Sequence, residues 1–189
     1  MDKSKILQAI AQNKEKFIPS PTPLNIEEEK SGKVDRFKES LIQVGGDFFE
    51  INAKDEFNAF IDEHIPNAEN FMKKDVREKY ARKCPIEKLA ELKTIIIEGQ
   101  FGIAENGAIW IDDHNLPHRL IPFVCEELII YLNSEQIVED MHQAYSKLKN
   151  SETGFGVFIS GPSKTADIEQ NLVYGAHAAK KLIVILCNQ

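Results

Sequence analysis

Cysteine is scarce in this 189-residue chain: Cys84, Cys125 and Cys187 are its three cysteines, and no two stand at Cys-x-x-Cys spacing. That argues against a disulfide-stapled scaffold and against an iron–sulfur cluster held by this chain alone, and predicts a reducing, cytoplasmic setting. Long apolar runs are missing as well. The opening MDKSKILQAIAQNKEKF has no apolar stretch of the secretory kind, and the apolar runs elsewhere are far too short for a bilayer, so a soluble protein is expected. Positive charge is in deficit: 23 Lys and Arg against 30 Asp and Glu give a net charge of −7 and a pI near 5.3. Nucleic acid and anionic membranes are therefore poor main partners, and small ligands and proteins are better ones.

Two nucleotide signatures fail on spacing. Gly156 and Gly161 stand as in a phosphate-binding loop, but Pro162 occupies the place where Lys is required. Gly154-Phe-Gly156 precedes an apolar run instead of following one, so a dinucleotide fingerprint fails too. His64, His114, His118 and His142 show no metal-ligand pattern; His114 and His118 are four apart, but Pro117 spoils a helix between them.

What the chain does contain falls into two parts. Residues 1–32 comprise a short amphipathic helix with Ile6, Leu7 and Ile10 on one side, then an exposed Pro-rich connection from residue 18 onward. Residues 33–189 form the compact domain. Val34, Phe37 and Leu41 make a helical stripe closed by Gly45-Gly46, DFFEI reads as a strand, and Asp55 can cap a helix carrying Phe57, Phe60 and Ile61. TIIIEG and EELIIYL read as buried strands, and Asn106-Gly107 between apolar flanks is a strong hairpin signal. Asn133 or Ser134 is expected to cap a helix with Ile137, Val138, Met141, Tyr145 and Leu148 on one face. VFIS, a helix from Thr165 lined by Ile168, Leu172 and Ala176, and LIVIL complete the pattern. Strands alternating with helices predict a parallel or mixed sheet covered on both faces.

The loop Ser160-Gly161-Pro162-Ser163-Lys164-Thr165 is the main binding candidate. Placed after a strand and before a helix, it would offer free N–H groups, hydroxyls and the Lys164 charge to a small anion. Ser163 or Thr165 serving only as a helix cap is the plainer alternative.

These residues carry a resemblance. GIAENGAIWI together with SGPSKTADIEQNLVYGAHAAKKLIVIL resembles the LUD domain family, of the lactate-utilisation protein C type, over everything from about Lys33 onward. Asn106 stands where that family usually has Thr, and Ala178-Ala179 where it usually has Gly-Pro. The resemblance implies a three-layer Rossmann-like α/β fold, with a mainly parallel sheet and helices on both faces, similar to ribose-5-phosphate isomerase and coenzyme A transferases. It also implies an accessory or small-anion-binding subunit acting with iron–sulfur partner proteins in the oxidation of lactate to pyruvate, the cluster belonging to a partner.

Three further side chains are candidates. Glu105, in Ala104-Glu105-Asn106-Gly107, is either a turn residue or a carboxylate nucleophile or base, as the Glu of a Ser-Glu-Asn-Gly motif is in the related transferases. His177 either bonds the end of the expected helix or reaches a ligand pocket. Arg119 either clamps a ligand carboxylate or makes a surface salt bridge. A free-standing acyl or coenzyme A transferase using Glu105, and a sugar-phosphate binder, are the alternative functions.

Overall fold

The computed structural model describes residues 3–13, 32–149, 153–166, 172–174 and 179–188. Helix α1 (Lys3–Gln12) forms as its apolar spacing predicts, and it leaves Ile6, Leu7 and Ile10 exposed. The expected Pro-rich connection lies, apart from Gly32, outside the described residues.

The frame is a five-stranded parallel sheet in the order β1-β11-β6-β3-β2. Its strands are β1 (Asp47–Ile51), β2 (Glu69–Asn70), β3 (Thr94–Glu98), β6 (Glu127–Asn133) and β11 (Lys181–Cys187). The bare apolar runs of β3, β6 and β11 occupy the three central places, where a strand is covered on both faces.

Alternation along those strands makes two cores. Ile96, Ile129, Tyr131, Ile183 and Ile185 point to one face and meet Phe57 and Ile61 of α3 (Lys54–His64). Ile95, Ile97, Leu128, Ile130, Leu132, Leu182, Val184 and Leu186 point to the other. That second face is covered by Phe37 and Leu41 of α2 (Lys33–Gln43) and by a further sheet, ordered β7-β4-β5-β8. Its strands are β4 (Phe101–Ile103), β5 (Ala108–Asp112), β7 (Ile137–Val138) and β8 (Gly156–Ile159). Ile109 and Ile111 of β5 seal the layer, each fully buried and contributing about 1.5–3 kcal/mol. Beyond it, α7 (Met141–Leu148) packs Ala144 against Phe101, Ile103 and Ala108. Short helices α4 (Lys74–Lys79), α5 (Ile86–Leu89) and α6 (Ile121–Val124) complete the connections. Among the described residues, no helix is long and apolar enough to cross a membrane.

Three expected elements differ. Asp55 does not cap α3: Ala53 holds the N-cap position with no side-chain bond, and Glu56 instead accepts from the Asn52 N–H at 2.8 Å. Asn133 caps only a single 3₁₀ turn, Ser134–Gln136. Ile137 and Val138 then pair with Gly102 and Ile103 as β7, and α7 starts later under an Asp140 cap, whose carboxylate accepts from the Gln143 N–H at 2.8 Å. The helix expected from Thr165 is replaced by an antiparallel pair, β9 (Lys164–Ala166) with β10 (Leu172–Tyr174), in which Thr165 faces Val173.

Candidate functional site

The two quoted motifs meet in space, fastened by α2. Ser160, just after β8, donates its hydroxyl to the Asn106 carbonyl at 2.9 Å. Ser40 of α2 donates to the Ala104 carbonyl at 2.8 Å. The turn between β4 and β5 is drawn tight by Asn106, whose Oδ1 accepts from the Ala108 N–H, and by Gly107, whose φ is +65°. Gly107 also lies against α2 so closely that a Cβ there would come within 2.6 Å of the Leu41 nitrogen. Gly161 does the same on the other side: its φ is +75°, and a Cβ would meet the Val44 carbonyl oxygen at 2.5 Å. Only glycine permits both the backbone angle and the approach at these two places.

The loop after β8 is not where the sequence placed it. Its Lys164 donates to the Val44 carbonyl, three residues before β1, and the Ser163 N–H donates to the Ala179 carbonyl at 3.0 Å, two residues before β11. Both neighbours lie at the amino ends of their strands, whereas ligands in open α/β sheets gather at the carboxyl ends. With Lys164 opening strand β9, the loop also lacks the helix start that was to supply free N–H groups. Beneath Gly161 and Ser163 is a small cavity of about 50 Å³ whose other walls include Phe123, Leu128, Ile159 and Leu182. Apolar walls suit packing better than an anion.

Glu105 serves the turn's other side. Its backbone N–H donates to the Glu139 carbonyl at 3.0 Å, and its Oε2 accepts from the N–H of Met141, the first residue of α7, at 3.0 Å. A carboxylate there is stabilised by the helix dipole. His177 lies outside the described residues, and of Thr165 only the backbone, in β9, is described.

Arg119 is not part of this junction. Asp112 pairs with Gly156 at one end of the β5–β8 ladder and Ile109 with Ile159 at the other, so the ladder's length separates the Arg119 region from Ser160. Arg119 makes the salt bridge, and a bidentate one: Nε to Asp113 Oδ1 at 3.1 Å and Nη2 to Oδ2 at 2.8 Å. Its guanidinium also lies over the Phe155 ring, 5.4 Å from the centroid. Arg82 reaches the same carboxylate at 3.5 Å. These contacts, the Arg119 hydrogen bonds first, hold the Asp113 carboxyl below its ordinary value of 3.8.

Sequence reasoning passed over the neighbour of this pair. Asp112 is 5% exposed, and its carboxylate accepts from Gln100 Nε2, Trp110 Nε1 and the His114 N–H, with His114 Nδ1 3.2 Å from Oδ1. Asn115 donates to the carbonyl of Glu98, the last residue of β3, which sets the segment at a carboxyl end of the parallel sheet. A cleft of about 360 Å³ opens there between Arg82, Asp113, His114, Arg119, Thr153 and Gly154. The available signal was the alternation of Trp110 and Asp112 along a strand, which puts a carboxylate beside an aromatic face. The three cysteines are unpaired, and burial pushes the Cys125 thiol up to about 12, leaving it a core residue instead of a nucleophile.

The fold and the joined motifs define the chain's class. A family profile described as the LUD domain matches residues 67–187, and the chain belongs to that family. It is 33% identical over 97 residues to a protein named lactate utilization protein C from Bacillus pumilus (strain SAFR-032), across 48% of this chain and 40% of that one. It is 34% identical over 90 residues to the protein of the same name from Geobacillus thermodenitrificans (strain NG80-2), across 44% and 38%. The matches thus span about two fifths of the length of these curated relatives. The crystal structure of a DUF162 family protein from Deinococcus radiodurans superposes with a TM-score of 0.58 at 13% identity, over 82% of this chain and 96% of that one, and so shares the fold.

Proposed function

We propose that this chain serves lactate utilisation as an accessory, small-anion-binding LUD subunit acting beside iron–sulfur proteins that oxidise lactate to pyruvate. The observation carrying this function is the likeness to proteins named lactate utilization protein C. The clasp of the Ala104–Gly107 turn, the Ser160 loop and α2 supports it structurally, because it gives the matching motifs one common scaffold. The three cysteines are too dispersed in sequence to ligate a cluster, so the electron-carrying group belongs on a partner. A transferase built on Glu105 is the weaker alternative, since that carboxylate is engaged at the start of α7.

The test is affinity purification of the tagged full chain from its own cells grown on lactate, read by mass spectrometry and visible absorbance. Brown eluates containing iron–sulfur proteins are expected. A colourless chain without such partners overturns the accessory role.

A further inference from the structure

We infer that the open edge of the five-stranded sheet is the contact between two copies of this chain, which pair their β1 strands antiparallel about a twofold axis at Phe49. The contact rests on β1 and its flanking helices and is independent of the partner docking proposed above.

Strand β1 pairs with β11 on one side and has no strand on the other. Alternate residues of a strand send their backbone groups to opposite sides, and the Ile51 carbonyl accepts from the Asn188 N–H at 2.9 Å, on the β11 side. Asp47, Phe49 and Ile51 therefore bond β11, while Gly46, Phe48, Glu50 and Asn52 look outward. The outer pair of these is already engaged: the Gly46 N–H donates to the Leu41 carbonyl at 2.9 Å, and the Asn52 N–H to Glu56 at 2.8 Å. Phe48 and Glu50 are left with backbone N–H and C=O groups that meet no partner among the described residues. Such an edge is a template for another strand.

The register follows from what the edge carries. With Phe49 on the axis, Phe48 of each copy faces Glu50 of the other, and each such pair exchanges both backbone hydrogen bonds, so the unpaired groups are satisfied together. Phe49 then meets its own counterpart at the non-hydrogen-bonded position, where side chains come closest. It is 43% exposed although its ring lies 5.3 Å from that of Phe60, which stacks in turn on His64 at 4.5 Å. Charge agrees on the opposite face. Lys38 of α2 lies over the Phe48 ring, 5.2 Å from its centroid, and 3.9 Å from Glu50. Glu50 of the second copy, opposite Phe48, comes beneath that ammonium, so each Lys38 answers a carboxylate across the axis. An axis at Glu50 would instead set the two glutamates against each other. Ile42, one turn beyond Lys38 and 53% exposed, widens the apolar strip.

The experiment is sedimentation velocity of the full chain over a concentration series, with amide exchange read by NMR. A species of twice the 21.4 kDa chain mass is expected at about 50 μM. Phe49→Lys puts like charges on the axis, and Glu50→Pro deletes an outward N–H that an edge strand can spare; each should weaken the dimer about tenfold or more. Lys38→Glu and Glu50→Lys should each weaken it alone, and an equimolar mixture of the two should associate again, because opposite charges then meet across the axis. The Phe48 and Glu50 amides should exchange more slowly as the dimer fills. Circular dichroism checks the fold of each variant, and Phe49→Lys decides alone if Glu50→Pro unfolds. A wild type that stays monomeric up to about 100 μM overturns the interface. So does a dimer that the folded β1 variants leave intact, a mixture of the charge variants that associates no better than either alone, or a dimer whose Phe48 and Glu50 amides keep their dilute exchange rates. Loss of the dimer in Ile6→Lys with Phe49→Lys unaffected also overturns it, assigning association to α1. Partner capture is measured separately, so failure of this interface leaves the accessory role standing.

Discussion

Ser160 and Asn106, 54 residues apart in the chain, are joined by a 2.9 Å hydrogen bond from the serine hydroxyl to the asparagine carbonyl. Ser40 reaches the same turn from α2, two residues earlier, at the Ala104 carbonyl. The turn is thus held from both sides by side chains that nothing in the backbone pattern obliges to be there. Ser160→Ala and Ser40→Ala should each destabilise the fold by about 0.5–1.5 kcal/mol, Ser40 more because its bond is partly buried. Thermal midpoints of the two variants measure this. Unchanged midpoints would mean that water replaces the hydroxyls at no cost.

The frame of the fold was legible because its signals are local. The apolar runs of β3, β6 and β11 are too uniform for an amphipathic element, and Asn106-Gly107 marks its turn locally, through the Asn106 side chain and the positive φ of Gly107. The errors fall where strand pairing overrides helical spacing. Ile137, Val138, Met141 and Tyr145 keep helical spacing, yet the first two are drawn into β7 by β4, far off in sequence. Leu172 likewise keeps helical spacing with Ile168 and Ala176, which lie outside the described residues, yet it pairs with Ala166 in the β9–β10 ladder. At the candidate site, Arg119 was visible as a cation in need of a carboxylate, and the carboxylate proved to be the chain's own Asp113. Asp112 and His114 were unreadable as a pair, because the pairing depends on the burial of Asp112 beneath Gln100 and Trp110.

Asp113 gives the stability a definite pH dependence. Arg119 holds its folded-state carboxyl below 3.8, so the folded protein binds that proton less readily than the unfolded chain does. The stabilisation is complete above the unfolded value and is lost as pH falls through the lower folded one. Arg119→Gln removes the main cause, although Arg82 remains. The gap in urea midpoint between wild type and variant should therefore be widest near neutral pH and shrink well below 3.8. A gap of constant size across that range would assign the effect of Arg119 to its packing on Phe155.

Glu105 separates a cap from a catalyst. As a cap, it needs only an oxygen acceptor for the Met141 N–H and gains a little from its charge beside the α7 dipole. Glu105→Gln retains an acceptor of the same reach and should leave the thermal midpoint nearly unchanged. Glu105→Ala abandons the N–H to water and should cost about 0.5–1 kcal/mol, with faster amide hydrogen exchange confined to the first turn of α7. A nucleophile obeys the opposite rule, because an amide cannot form the acyl intermediate however well it is placed. If Glu105→Gln abolishes thioester exchange on acyl-coenzyme A while keeping α7 protected, the transferase alternative gains the chemistry it lacks. If no exchange is present in the wild type, or exchange survives in the variant, Glu105 is left with the helix it caps.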